Sequence, residues 1–367
     1  MYQIKLLGII FCVSFLISAC DDSPTGPEEE GDRIVEGVNI TKLFAEPTST
    51  EISAILLEWE GRDAAAEGIQ ELLTAPLLLG TAQATLRVVS HTVGGVQHFG
   101  VIVAPAGASP ASLPVLIYTH GGDSGVNIDE TLVFLPFALG GIGDDFVYVV
   151  PSFRSESLIF DGNTYQSGGE PSPWDLDVDD ALALLNVALE TTPEADPTRI
   201  GVVGFSRGAN VGMLMAVRDP RIDLIVEFFG PTDFLGPYVQ ELVEEALQGN
   251  PRDLPGLDHL NRTFIQPLMS GALTIEDVRP ELLRRSPVYF ADRLPQLQGH
   301  HGTLDVVVDV SQAERLIEVM EQLGRSEPEF EFYLYEGGTH NPLSLPGSID
   351  RSAEFLSRLF APLIAAQ

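Results

Sequence analysis

Cysteine is almost absent: the 367 residues contain two, Cys12 and Cys20, both within the first twenty positions. The rest of the chain therefore has no intramolecular disulfide and must be held by its core. Basic residues are also scarce, with 20 Lys and Arg against 53 Asp and Glu and a formal charge of −33. A charge of that sign excludes nucleic acid or an anionic lipid surface as a partner and gives a self-repelling acidic exterior. No internal repeat is present, which excludes solenoids and propellers. Apolar residues make up 44% of the chain, enough for one enlarged domain with a buried core.

Residues 1–20 read as a signal sequence: Lys5, an apolar run from Leu6 to Ile17, then Ser18, Ala19 and Cys20. The run falls short of the roughly 20 apolar residues a spanning helix needs. Ile17-Ser18-Ala19-Cys20 resembles the lipobox of bacterial lipoproteins, which implies secretion across the inner membrane and lipid anchoring in the cell envelope through Cys20. Residues 21–37, rich in Asp, Glu, Pro and Gly, are expected to form a flexible acidic tether.

Between Glu51 and Thr74 the apolar spacing suits one or two helices, so 38–83 is expected to be an N-terminal helical segment before a catalytic domain over 84–367. That domain opens with strand-like runs at 84–90 and 96–105 around the turn signal Gly94-Gly95, which predicts a hairpin. The runs at 114–122, 146–151, 199–206 and 222–230 are apolar enough to be buried on both faces, as parallel central strands are. Helical spacing from Leu176 to Leu189, a strand at 330–337 and a helix from Ile349 complete a doubly wound α/β sheet. The polar, helical stretch 233–290 exceeds a simple connection and is expected to cap the site.

The strongest chemical signal is Gly204-Phe205-Ser206-Arg207-Gly208, a G-x-S-x-G between a buried strand and a helix. A serine on such a strained turn is exposed beside a helix N-terminus, and side chains at the flanking glycines would collide with neighbouring backbone. Its hydroxyl needs a base to remove the proton. His340, in the loop after the last expected strand, is the only histidine beyond Asp305. Asp305, just past Gly302, can orient that imidazole; Asp309 is the competing acid. The backbone N–H groups of Arg207 and of Gly122, in the loop carrying Gly121 and Gly122, suit an oxyanion hole. Arg154, Arg207 and Asp123 are candidate substrate contacts, with structural ion pairs the equal reading for the two arginines. His300 and His301 are adjacent on a strand and point to opposite faces, a poor metal pair. Asp175, Asp177, Asp179 and Asp180 lack the glycine and glutamate of a calcium loop and read as a helix N-terminus. No metal and no organic cofactor is needed.

The stretches "YTHGGDSG", "WDLDVDDALALL", "DPTRIGVVGFSRG", "HHGTLDVVV" and "GGTHNP" occur in an order that resembles the catalytic domain of prolyl oligopeptidase-family serine peptidases and the related dienelactone-hydrolase-like esterases. The resemblance runs from about residue 96 to the end. It implies the α/β-hydrolase fold, a Ser206, Asp305 and His340 triad, and an oxyanion hole at Gly122 and Arg207. Asp123 and Ala209 depart from the family pattern. The residues ahead of the resemblance are too few for the propeller of the family's peptidases, which favours an ester over a peptide as the small-molecule substrate. A surface oligopeptidase or aminopeptidase, and a non-catalytic binding lipoprotein on the same fold, are the alternatives.

Overall fold

The computed structural model describes residues 31–361; the signal segment with Cys20 and residues 21–30 of the expected tether lie outside the described residues. From Arg33 onward the chain is one compact unit. The end of the expected tether belongs to it: Ile34–Val35 pairs with Val38–Asn39, and Arg33 forms an ion pair with Glu244.

Nine strands build the main sheet: β1 Glu67–Leu79, β2 Ala82–Val93, β3 Val96–Pro105, β4 Leu113–Thr119, β5 Val147–Pro151, β6 Ala195–Phe205, β7 Ile222–Phe228, β8 Gln296–Gly302 and β9 Phe330–Tyr335. Their spatial order is β9-β8-β7-β6-β4-β5-β3-β2-β1. The six strands from β9 to β5 run parallel, while β3, β2 and β1 extend the sheet antiparallel. The β2–β3 hairpin forms as expected, with Val93 opposite Val96 and both Gly94 and Gly95 at positive φ, which a two-residue hairpin turn demands.

One expectation fails. The helix α1, Ser49–Glu60, stops at Gly61, and the chain from Glu67 is strand, so 38–83 is not a helical segment. Leu73, Leu77 and Leu79 of β1 pack into the core, with exposed residues between them. Those leucines also fit helical spacing, and the sequence alone does not distinguish the two. Pro76 is tolerated because β1 is the edge of the sheet.

The sheet is covered on both faces, which is why its central strands are apolar throughout. Val115 and Ile117 of β4 face one core, shared with α3 Leu176–Thr191, α4 Arg207–Arg218 and the helices of 237–283. Leu116 faces the other, shared with α2 Ile128–Leu139 and the C-terminal helix Ser348–Leu356. Each fully buried Val, Leu or Ile contributes about 1.5–3 kcal/mol to that packing. The stretch 233–290 is helical, as expected, with α5 Pro237–Leu247 its longest helix.

Candidate active site

The turn between β6 and α4 places Ser206 at the carboxyl edge of the sheet with φ 54° and ψ −120°. A non-glycine residue there costs roughly 1–3 kcal/mol and persists only where its surroundings fix it. Packing supplies that constraint: a Cβ on Gly208 would sit 2.0 Å from the Thr119 carbonyl oxygen, and one on Gly204 2.5 Å from that of Gly208. The Ser206 N–H donates to the Phe228 carbonyl at 2.8 Å, tying the turn to the end of β7.

Asp305 and His340 hang from the ends of β8 and β9, at the same edge. His340 Nδ1 lies 2.7 Å from Asp305 Oδ2, and the other carboxylate oxygen accepts the Val307 and Val308 N–H groups at 2.8 and 3.0 Å. Burial pushes the Asp305 carboxyl up, but the His340 hydrogen bond and charge and the two amides outweigh it and hold it below the ordinary carboxylate range. The His340 ring packs 4.2 Å from the ring of Phe229. The competing Asp309 instead accepts the Ser311 N–H at 3.0 Å, at the start of α6, Ser311–Gln322.

The adjacent histidines diverge as a strand requires. His300 bonds Tyr335, Gln298 and Ser352, whereas His301 Nε2 lies 2.9 Å from the Val308 carbonyl and 3.6 Å from Asp305. Gly121 sits against the nucleophile turn, where a Cβ would come 3.2 Å from that of Ser206, and Gly122 takes φ 75°. The Gly122 carbonyl accepts a hydrogen bond from Arg207 Nη1 at 3.1 Å.

The Arg207 guanidinium is buried. It donates to Asp177 at 2.8 Å and pairs with Glu156, whose second oxygen lies 3.5 Å from His120 Nε2. Burial, offset in part by Arg207, raises the Glu156 carboxyl to about 7. The acids that hold Arg207 were not anticipated from sequence; the polar "SES" at 155–157, beyond the end of β5, is the trace Glu156 leaves.

Arg154 takes the ion-pair reading: it lies buried and bidentate on Asp180 at 2.7 and 3.3 Å, and lines neither cavity beside the Ser206 turn. Asp123 is exposed beside the glycine loop, and it also lines neither cavity. The four aspartates at the start of α3 each meet an arginine: Asp175 meets Arg62, Asp177 Arg207, Asp179 Arg218 and Asp180 Arg154.

Two cavities flank the nucleophile turn. The smaller, about 40 Å³, holds Ser206 and is walled by Trp174 and by Phe234, Tyr238, Leu242 and Leu254 of the helical insertion. The larger, about 410 Å³, is lined by His120, Gly121, Glu130, Phe134, Phe205 and Pro342. The Tyr238 hydroxyl donates to the Val307 carbonyl at 2.7 Å, fastening the cap to the Asp305 loop.

A sequence profile of the dienelactone hydrolase family matches residues 166–249, a stretch that contains Ser206 but neither Asp305 nor His340. The uncharacterized peptidase YtmA of Bacillus subtilis is 25% identical over 176 residues, covering 46% of this chain and 63% of that protein. Among solved structures, acetyl xylan esterase 1 of a Thermoanaerobacterium species superposes with a TM-score of 0.61 at 18% identity, over 88% of this chain and 99% of the esterase. An esterase of Pyrococcus furiosus gives 0.51 at 18% identity, covering 75% of this chain and 91% of its own. The acylaminoacyl peptidase of Pyrococcus horikoshii gives 0.50 at 14% identity, covering 81% and 51%. The strand order, the serine turn at the sheet's carboxyl edge and these superpositions establish that the chain has the α/β-hydrolase fold.

Proposed function

We propose that this protein is a serine hydrolase that cleaves esters of short acyl groups through an acyl-enzyme on Ser206. The observation that carries the reading is the 2.7 Å Asp305–His340 bond at the same sheet edge as a serine held at φ 54°. Ser206 Oγ attacks the carbonyl carbon while His340 Nε2 takes its proton, and Asp305 steadies the imidazolium. The oxyanion is received by the N–H groups of Arg207 and Gly122. Collapse of the tetrahedral intermediate expels the leaving oxygen, which takes the proton back from His340. Water, deprotonated by the same base, then releases the acid.

An ester is favoured by the shape of the cavities. The space at Ser206 is small and apolar and suits an acyl group of two or three carbons. The larger cavity reaches Pro342, beside the base that must protonate the leaving group. Among the described residues no acidic side chain lines the small cavity, so an aminopeptidase reading lacks a partner for a free amino terminus there.

Fluorophosphonate labelling of the full chain tests the reading. Wild type is expected to label, Ser206→Ala not at all, and His340→Ala at least about 10³-fold more slowly. p-Nitrophenyl acetate should exceed the octanoate in kcat/KM, and aminoacyl nitroanilides should be inert. A folded wild type that does not label would leave the non-catalytic binding protein. Placement in the cell envelope belongs to the same proposal and rests on residues 1–20; a Cys20→Ala chain should move from the membrane to the soluble fraction, and its retention there would refute lipid anchoring.

A further inference from the structure

One acid lies closer to the catalytic pair than any sequence signal suggests. Glu227 stands in the middle of the sheet on β7, 1% exposed, with Gly204 of β6 and Gly299 of β8 as its neighbours in register. Neither glycine offers a side chain. On the α4 side Ala209 and Asn210, which do not titrate, lie against Gly230, the residue whose N–H Glu227 binds, and Asn210 spends its amide on the Pro231 and Arg285 carbonyls. Among the described residues no cation pairs with Glu227. Its one hydrogen bond is accepted by Oε2 from the Gly230 N–H at 2.9 Å, and Oε1 has no partner.

The segment that this bond braces touches the Ser206 backbone and the His340 ring. Phe228 accepts the Ser206 N–H. Phe229, at φ 43°, donates its N–H to the His300 carbonyl at 2.9 Å and lays its ring against His340. Pro231 walls the Ser206 cavity. A bulky residue at positive φ needs to be held there by its surroundings. Glu227 supplies the only side-chain bond to the Gly230 amide, immediately after it.

We infer that Glu227 is a positioning residue which, as an uncharged acid, fixes the Phe228–Pro231 turn on which Ser206 and His340 both rest. The inference builds on the hydrolase reading above. Burial, only partly offset by the Gly230 N–H, raises this carboxyl to about 8, so it is largely protonated at neutral pH. Above that pH a charge appears inside the sheet without a counter-ion, and the turn yields.

The test is the second-order rate of fluorophosphonate labelling of the full chain between about pH 6 and about pH 10. Wild type should fall above about pH 8. Glu227→Gln keeps an acceptor for Gly230 and cannot ionise; it should label within about twofold of wild type at neutral pH and lack the alkaline fall. Glu227→Leu, which lacks the acceptor, should label roughly tenfold more slowly at every pH. An alkaline fall retained in the Gln variant, or a folded Leu variant labelling at the wild-type rate, overturns the inference alone. A wild type that never labels overturns the hydrolase reading instead.

Thermal melts give a readout independent of catalysis. Because the folded-state carboxyl is raised, wild type loses stability between the unfolded value of 4.5 and about 8, and the Gln variant should gain on it across that window. Parallel melting curves over those pH values also contradict the uncharged-acid assignment.

Discussion

At the scale of single residues, buried arginines do structural duty that the sequence disguises. Arg154 is bidentate on Asp180, which is 1% exposed and whose carboxyl burial pushes up to about 8 against the pull of Arg154, so Arg154→Met should cost about 1–3 kcal/mol in urea unfolding by leaving a buried acid without its donors. A loss below about 1 kcal/mol would mean the pair is not buried in solution. That Ser206, Asp305 and His340 gather at one sheet edge was legible because each follows a strand in the order that the proposed chemistry demands. Arg154 carried two readings because an arginine following a strand looks the same whether it faces substrate or a partner 26 residues away. Glu227 had left one trace, an acid inside the otherwise apolar stretch "LIVEFFG".

At the scale of elements, the parallel strands could be read because burial on both faces leaves them uninterrupted apolar sequence. The edge strand β1 could not, since half-exposed strands and amphipathic helices share spacings over short windows. The insertion 233–290 was recognisable by its length, yet only the fold shows that α5 walls the serine cavity. Leu242 is the residue of α5 to alter. Leu242→Ala should destabilise the protein by about 2–5 kcal/mol and raise kcat/KM for butyrate relative to acetate roughly tenfold. An unchanged chain-length profile, measured with p-nitrophenyl esters, would place the acyl group in the other cavity.

For the whole molecule, the charge of −33 is carried beside an unusual set of cations: of 20 basic residues only Lys5 and Lys42 are lysine. Arginine suits buried and bidentate pairing, and several of these side chains face inward rather than dilute the acidic exterior. Self-repulsion should therefore dominate the response to salt. The melting temperature should rise between about 10 mM and about 200 mM NaCl as the Debye length shortens, and a fall in calorimetry would show that the ion pairs matter more.

The proposed nucleophile and the proposed base do not share the same mechanical footing. Ser206 follows β6, which is paired on both sides in the middle of the sheet, whereas His340 follows β9, which is paired only with β8 at the outer edge. Peeling one strand from that edge would carry off the imidazole and leave the rest of the sheet closed. The base is thus the perishable member of the site, and loss of turnover on heating would be an early symptom of fraying rather than a sign that the molecule has come apart.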